Sequence, residues 1–122
     1  SCGMFDEKIA ALALEHSEKI LERNRKIVRD NLAILDHWVG EESHVSYVKP
    51  QAGTTALVYY DLPIDSYTFC EEMYKQTGAF VTPGDCFEQS HSMRIGYACD
   101  AEILKAGLCA VSEYIKMKLK VN

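Results

Sequence analysis

The chain lacks most of the features that declare a function at first sight. No apolar run approaches the ~20 residues of a membrane span. Charge begins at Asp6, so no signal peptide is expected. Basic runs and aromatic-plus-basic stripes are missing, and the net charge is -5, which argues against nucleic-acid binding. The 5 cysteines (Cys2, Cys70, Cys86, Cys99, Cys109) are odd in number and widely spread. None forms a Cys-x-x-Cys, so neither a zinc ribbon nor a redox pair is indicated. Free thiols in a reducing cytosol are the expectation. Gly53-Thr-Thr lacks the spacing of a phosphate loop. His16, His37 and His44 are scattered without ligand spacing. His91 follows Cys86 closely, but nothing orients the two and no oxyanion motif accompanies them.

What remains is the material of one globular domain. The 122 residues are 48% hydrophobic and 25% charged, enough for a single core. Ile9, Leu12, Ala13, Ile20, Ile27, Ile34, Leu35 and Trp38 recur at helical spacings. They predict one helix over residues 6–39, opened by Asp6 and Glu7 and capped by Gly40. At ~1.5 Å per residue it measures about 50 Å, longer than such a domain. One end must overhang the core or run along another structure, unless the helix bends near Arg23-Asn24-Arg25. The run Glu22 to Lys26 reads as a solvated helical face.

Beyond it, Val45–Lys49 and Thr55–Tyr60 read as strands around the turn Pro50-Gln-Ala-Gly53. Asp65 or Ser66 caps a helix closed by Gly78. Ala79–Thr82 and Ser92–Ala98 read as two more strands, and Asp100 caps a last helix ending near Lys118. The expected fold is α+β: a small, mostly antiparallel sheet, helices packed on one face, and a long N-terminal helix.

Two stretches carry the chemistry, Val81-Thr-Pro-Gly-Asp-Cys-Phe87 and Ser92-Met-Arg-Ile-Gly-Tyr-Ala98. Strand alternation sends Met93, Ile95 and Tyr97 to one face and Arg94, Gly96 and Ala98 to the other. The second face holds one guanidinium among residues with almost no side chain. Such a fork suits a carboxylate or phosphate, gripped through two parallel charge-assisted bonds. The plain alternative is an ordinary strand with a solvated arginine. Pro83-Gly84, Pro50 and Gly53 are turn residues first, and Phe87 is read first as core.

The Thr-Pro-Gly turn, Phe87, a polar linker and Met-Arg-Ile-Gly-Tyr-Ala resemble the C-terminal motif of class I/II (fold-type I) aminotransferases. These enzymes depend on pyridoxal phosphate (PLP). Phe5-Asp6 through Trp38 resembles the long helix that opens that family's small domain. Lys49-Pro50-Gln-Ala-Gly53-Thr-Thr resembles its Pro-x-x-Gly segment, and Leu104-Lys-Ala-Gly-Leu108 its last helix. The likeness spans nearly all of residues 1–122, in order. It implies that Arg94 binds a substrate α-carboxylate, with Gly53 and Phe87 as further substrate contacts.

None of the lysines stands in the Ser-Lys setting of the family's Schiff-base residue. The aspartate for the pyridine nitrogen, the phosphate-gripping residues and the stacking aromatic are missing as well. In the family these belong to a large upstream domain. Met4 follows Ser1-Cys2-Gly3, so the chain is expected to be a C-terminal domain cut from its parent. The resemblance implies PLP in a cytoplasmic, homodimeric parent that acts on amino-acid and keto-acid substrates. The fragment itself is expected to bind no cofactor or metal, to have no catalytic residue and to be inactive. Two other readings stay open: a PLP-dependent carbon–sulfur lyase domain, and a free-standing regulatory module that senses an amino acid through Arg94.

Overall fold

The computed structural model describes residues 7–51 and 53–121, with side chains described over 17–120. Helix α1 (Glu7–Glu41) is followed by strand β1 (Val45–Tyr47), strand β2 (Thr55–Tyr60) and helix α2 (Ser66–Thr77). Strand β3 (Thr82–Pro83), a 3-10 turn (Gly84–Phe87), strand β4 (Ser92–Gly96) and helix α3 (Ala101–Val121) complete the chain. The sheet order is β1-β2-β4-β3, antiparallel throughout. The fold is α+β, as expected.

Alternation in the strands decides which way the sheet faces. Ala56, Val58 and Tyr60 of β2, and Met93 and Ile95 of β4 with Tyr97 just beyond, are all buried. They meet Leu35 of α1, Phe69 and Met73 of α2, and Leu108 and Tyr114 of α3 in one cluster. Tyr60 stacks on Phe69 with centroids 4.2 Å apart, and Phe69 meets Tyr114 edge-on at 4.8 Å. Cys70 lies in this layer, where burial pushes its thiol up to about 12 and keeps it neutral.

Local chemistry sets the element ends. The Asp65 side chain accepts the Thr68 N–H at 3.1 Å, and Gly78, at φ 79°, closes α2 through a bond to Tyr74 O. The Asp100 carboxylate accepts the Glu102 N–H at 2.9 Å and starts α3. The α2–α3 contact is fastened by Glu72, which accepts from Lys118 Nζ at 2.8 Å and from the Tyr114 hydroxyl. Lys118, then Tyr114, holds the Glu72 carboxyl below its ordinary range.

Several boundaries differ from expectation. The long helix passes through Gly40 to Glu41, so Gly40 is not its cap. It is unbroken at Arg23-Asn24-Arg25. Strand β1 stops at Tyr47, where pairing with Val58 ends, and Val48 is exposed. Strand β3 begins only at Thr82; Pro83, which has no N–H to donate, belongs to the edge strand. Along α1, core packing starts at Val28, while Ile20, Leu21 and Ile27 are exposed. The apolar positions Ile9, Leu12 and Ala13 lie outside the described side chains.

Candidate functional site

Among the described residues, no helix covers the other face of the sheet. Strand pairing places Leu57 and Thr82 on either side of Arg94, and Thr55 beside Gly96. Arg94 and Gly96 are exposed, as the alternation predicts. Because β4 lies between β2 and β3, Arg94 is positioned by strands on both sides.

The guanidinium carbon of Arg94 sits 4.5 Å from the centroid of the Phe87 ring. Phe87 is 40% exposed, so it is a cover for Arg94 rather than the core residue expected first. The ring supports one side of the guanidinium and attracts it through its quadrupole. No carboxylate among the described residues forms an ion pair with Arg94. The cation is therefore held in place with its donors uncommitted to any described acid.

The 3-10 turn brings Phe87 there, and two contacts fix the turn. Ser66 Oγ donates to Asp85 Oδ2 at 2.7 Å and accepts the Asp85 N–H at 3.0 Å. Gly84 is pressed against β4: a Cβ there would stand 1.7 Å from Ser92 Oγ and 2.5 Å from Gln89 O. Only glycine allows this close approach. Pro83-Gly84 is thus more than a generic turn, since it lets Phe87 reach Arg94.

Gly53 lies beyond the Thr55–Gly96 pair, at the end of the β2–β4 ladder. Its φ is 91°, in the left-handed region that favours glycine. Its carbonyl accepts the Tyr97 hydroxyl at 2.9 Å, and Thr54 O accepts the Tyr97 N–H at 2.8 Å. The fold therefore puts Arg94 and Phe87 in contact, and Gly53 beyond Gly96 at the end of the strand pair.

Sequence reasoning missed Asn31. It is 1% exposed, and its Nδ2 donates to Tyr97 O at 2.8 Å and also to Cys99 O. The signal was present, because Asn31 falls between Ile27 and Leu35 on the apolar stripe. A polar residue on such a stripe needs a buried partner.

No family model matches the chain. Over 108 residues it is 32% identical to capreomycidine synthase of Streptomyces vinaceus, a match that covers 88% of this chain and 28% of that protein. It superposes on a PLP-dependent aminotransferase from Streptococcus suis with a TM-score of 0.88 and 40% identity, over 95% of this chain and 31% of that one. Over most of its length the chain is similar to one part of PLP-dependent aminotransferases, as a small C-terminal domain of such a protein would be. A PLP-dependent cyclase, OrfR, is also similar, with a TM-score of 0.78 and 25% identity, over 87% of this chain and 30% of that one. The chain thus spans less than a third of the length of the relatives it matches.

The residues present do not make a PLP site by themselves. Ser46, Thr55, Leu57, Tyr59, Thr82, Arg94 and Gly96 alternate onto the open face, and none offers an amine for a Schiff base. Nor does any of them offer a carboxylate for a pyridine nitrogen. Among the described residues no cluster of His, Cys, Asp and Glu could hold a metal ion. No helix among them is long and apolar enough to cross a membrane.

Proposed function

We propose that this domain is the part of a PLP-dependent aminotransferase that grips the substrate's α-carboxylate, through Arg94, and closes over the active site. The observation that carries the reading is an exposed guanidinium, unpaired by any described acid, backed by Phe87 and two residues from Gly96. A planar fork beside bare backbone admits a flat anion and binds it through two parallel hydrogen bonds. An amino acid held in this way presents its amine in one orientation, which converts binding energy into positioning. Phe87 limits how far the guanidinium can turn, and its exposed edge gives the substrate an apolar contact. Gly53, beyond Gly96 at the end of the strand pair, is the further substrate contact that the resemblance implies.

PLP bound in the whole protein supplies the electron sink for chemistry at the substrate's α-carbon. The groups that hold it come from outside this chain, in a homodimeric cytoplasmic parent, and the isolated chain has no turnover. Reaction type is set by those outside groups. The likeness to capreomycidine synthase and to the cyclase OrfR favours a second reading, in which the parent closes a ring on its amino-acid substrate. Arg94 would perform the same task in that case.

The test is Arg94→Lys in the full-length parent, with the isolated chain as blank. The substrate is whichever of the twenty L-amino acids the wild-type protein consumes fastest. Lysine keeps the charge but loses the fork, so KM should rise about ten- to a hundredfold, from ~1.5–3 kcal/mol of lost charge-assisted bonding. An unchanged KM removes Arg94 from the site. Turnover by the isolated chain rejects the fragment reading.

A further inference from the structure

Phe87 has company over the open face. Tyr59 of β2 alternates onto that face, and its hydroxyl donates to Gln89 Oε1 at 3.1 Å. The amide of Gln89 therefore lies on the same side of the sheet as Arg94. Leu57 pairs with Arg94 and Tyr59 with Ser92, which makes Tyr59 and Arg94 diagonal neighbours. Such neighbours stand about 7–8 Å apart, within reach of long side chains. Phe87 and Gln89 thus lean over adjacent positions of one surface, the first on a cation and the second on a phenol.

The backbone of Gln89 is fixed on both sides. Its N–H donates to Gly84 O at 3.0 Å, and its carbonyl accepts from the buried Ser92 hydroxyl at 2.7 Å. Glu88 at φ 60° and His91 at φ 53° bracket the residue. Left-handed positions without glycine are uncommon and gather at functional segments. Tyr59 then settles which way the amide faces. With Oε1 accepting the phenolic proton, Nε2 is the end that remains to donate. Among the described residues Nε2 has no hydrogen-bond partner, and Gln89 is exposed. Two N–H donors are therefore presented beside a guanidinium fork.

We infer that Gln89 is a specificity residue: its amide nitrogen, oriented by the Tyr59 hydroxyl, donates to an oxygen on the side chain of the amino acid whose α-carboxylate Arg94 holds. The inference rests on the reading of Arg94 as the carboxylate fork and deepens it by naming the substrate class. A neutral donor favours a side chain that ends in a carboxylate or an amide carbonyl over an apolar one of similar length. Gln89 touches substrate in this role, and Tyr59 is a positioning residue that acts through it.

Gln89→Glu is the deciding variant, because it keeps the shape and still accepts the Tyr59 proton. It replaces the donor with a negatively charged acceptor. A substrate amide can turn its own N–H to this acceptor, whereas a substrate carboxylate cannot. In the full-length parent, kcat and KM are measured for aspartate, glutamate, asparagine and glutamine, with leucine and methionine as apolar counterparts. Wild type should favour the four oxygen-bearing substrates. In Gln89→Glu the kcat/KM ratio of the acids to their amides should fall about ten- to a hundredfold, the usual weight of a hydrogen bond to a charged group. Any general effect of the new charge on Arg94 cancels in that ratio. Tyr59→Phe should lower the preference for oxygen-bearing over apolar substrates about three- to tenfold, through KM more than kcat.

A wild type without the preference overturns the inference, and so does an unchanged acid-to-amide ratio in Gln89→Glu. A loss equal for all six substrates also overturns it, because it places Gln89 on the α-carboxylate or in the fold of the turn. A silent Tyr59→Phe removes the orienting role from Tyr59. Arg94→Lys keeps the two readings apart. If it weakens all six substrates while Gln89→Glu leaves the ratio alone, only the side-chain contact fails. If it is silent while the ratio shifts, the carboxylate reading fails and the amide contact stands.

Discussion

Met93 and Arg94 are neighbours in the chain and opposite in circumstance. Met93 is 0% exposed beneath the helices, and Arg94 lies on the face that no described helix covers. The same division runs through β2, where Ala56, Val58 and Tyr60 are buried and Thr55, Leu57 and Tyr59 are not. One face of the sheet holds the fold together. The other carries a cation, an aromatic cover and bare backbone, none of which the core requires. A domain divided in this way can vary its open face with little loss of stability, because burial of the core face supplies most of the folding free energy.

The sharpest test of the division is a pair of adjacent substitutions. Met93→Ala should cost about 2–5 kcal/mol, the usual range for emptying a fully buried side chain. Arg94→Ala should cost under about 1 kcal/mol, mainly the contact with Phe87. Denaturant unfolding of the two variants measures the gap. Equal losses would mean that the open face is structural after all.

Gly84→Ala probes a place where the turn presses against β4. The added Cβ meets Ser92 Oγ, which can rotate away, but it also meets the backbone oxygen of Gln89, which cannot. A loss of about 1–3 kcal/mol is expected from this overpacking. Substituting Ser92 by alanine in the same chain should recover only part of it. Full recovery would show that the turn itself is free to shift.

The smallest effect lies on the helical side and depends on pH. Glu72, held by Lys118 and Tyr114, has a folded pKa below its unfolded one, so its contribution is present above the ordinary carboxylate value of ~4.3 and fades as pH falls through the folded value. Wild type should therefore exceed Glu72→Gln in stability near neutrality, and the gap should close on acidification below about pH 4. A gap that persists at pH 2 would assign the effect to packing rather than charge.

Much of this division was legible in the residues. Thr55–Tyr60 and the helix from Ser66 to Thr77 lie where an apolar, β-prone run, Asp65 and Gly78 put them. Burial of Met93, Ile95 and Tyr97 opposite Arg94 and Gly96 follows from the two-residue period of a strand. Phe87 was harder. An aromatic after a turn is most simply a core residue, and only the close approach of Gly84 to Ser92 lets the ring reach Arg94. The ends of β1 and β3 were misplaced because pairing partners, not local propensity, decide where a short strand stops.

By itself, then, the sequence determined the α+β class, the faces of the residues along β4 and the caps that bound α2 and start α3. These follow from local periodicity and from side chains that bond their own backbone. Only the tertiary structure decided that β4 lies between β2 and β3, that Phe87 covers Arg94, and that Asn31 and Gly53 meet at Tyr97. Each of these joins residues far apart in the chain, where no local pattern reaches. The partner is selected by the space and the unsatisfied hydrogen bonds left once the elements have packed.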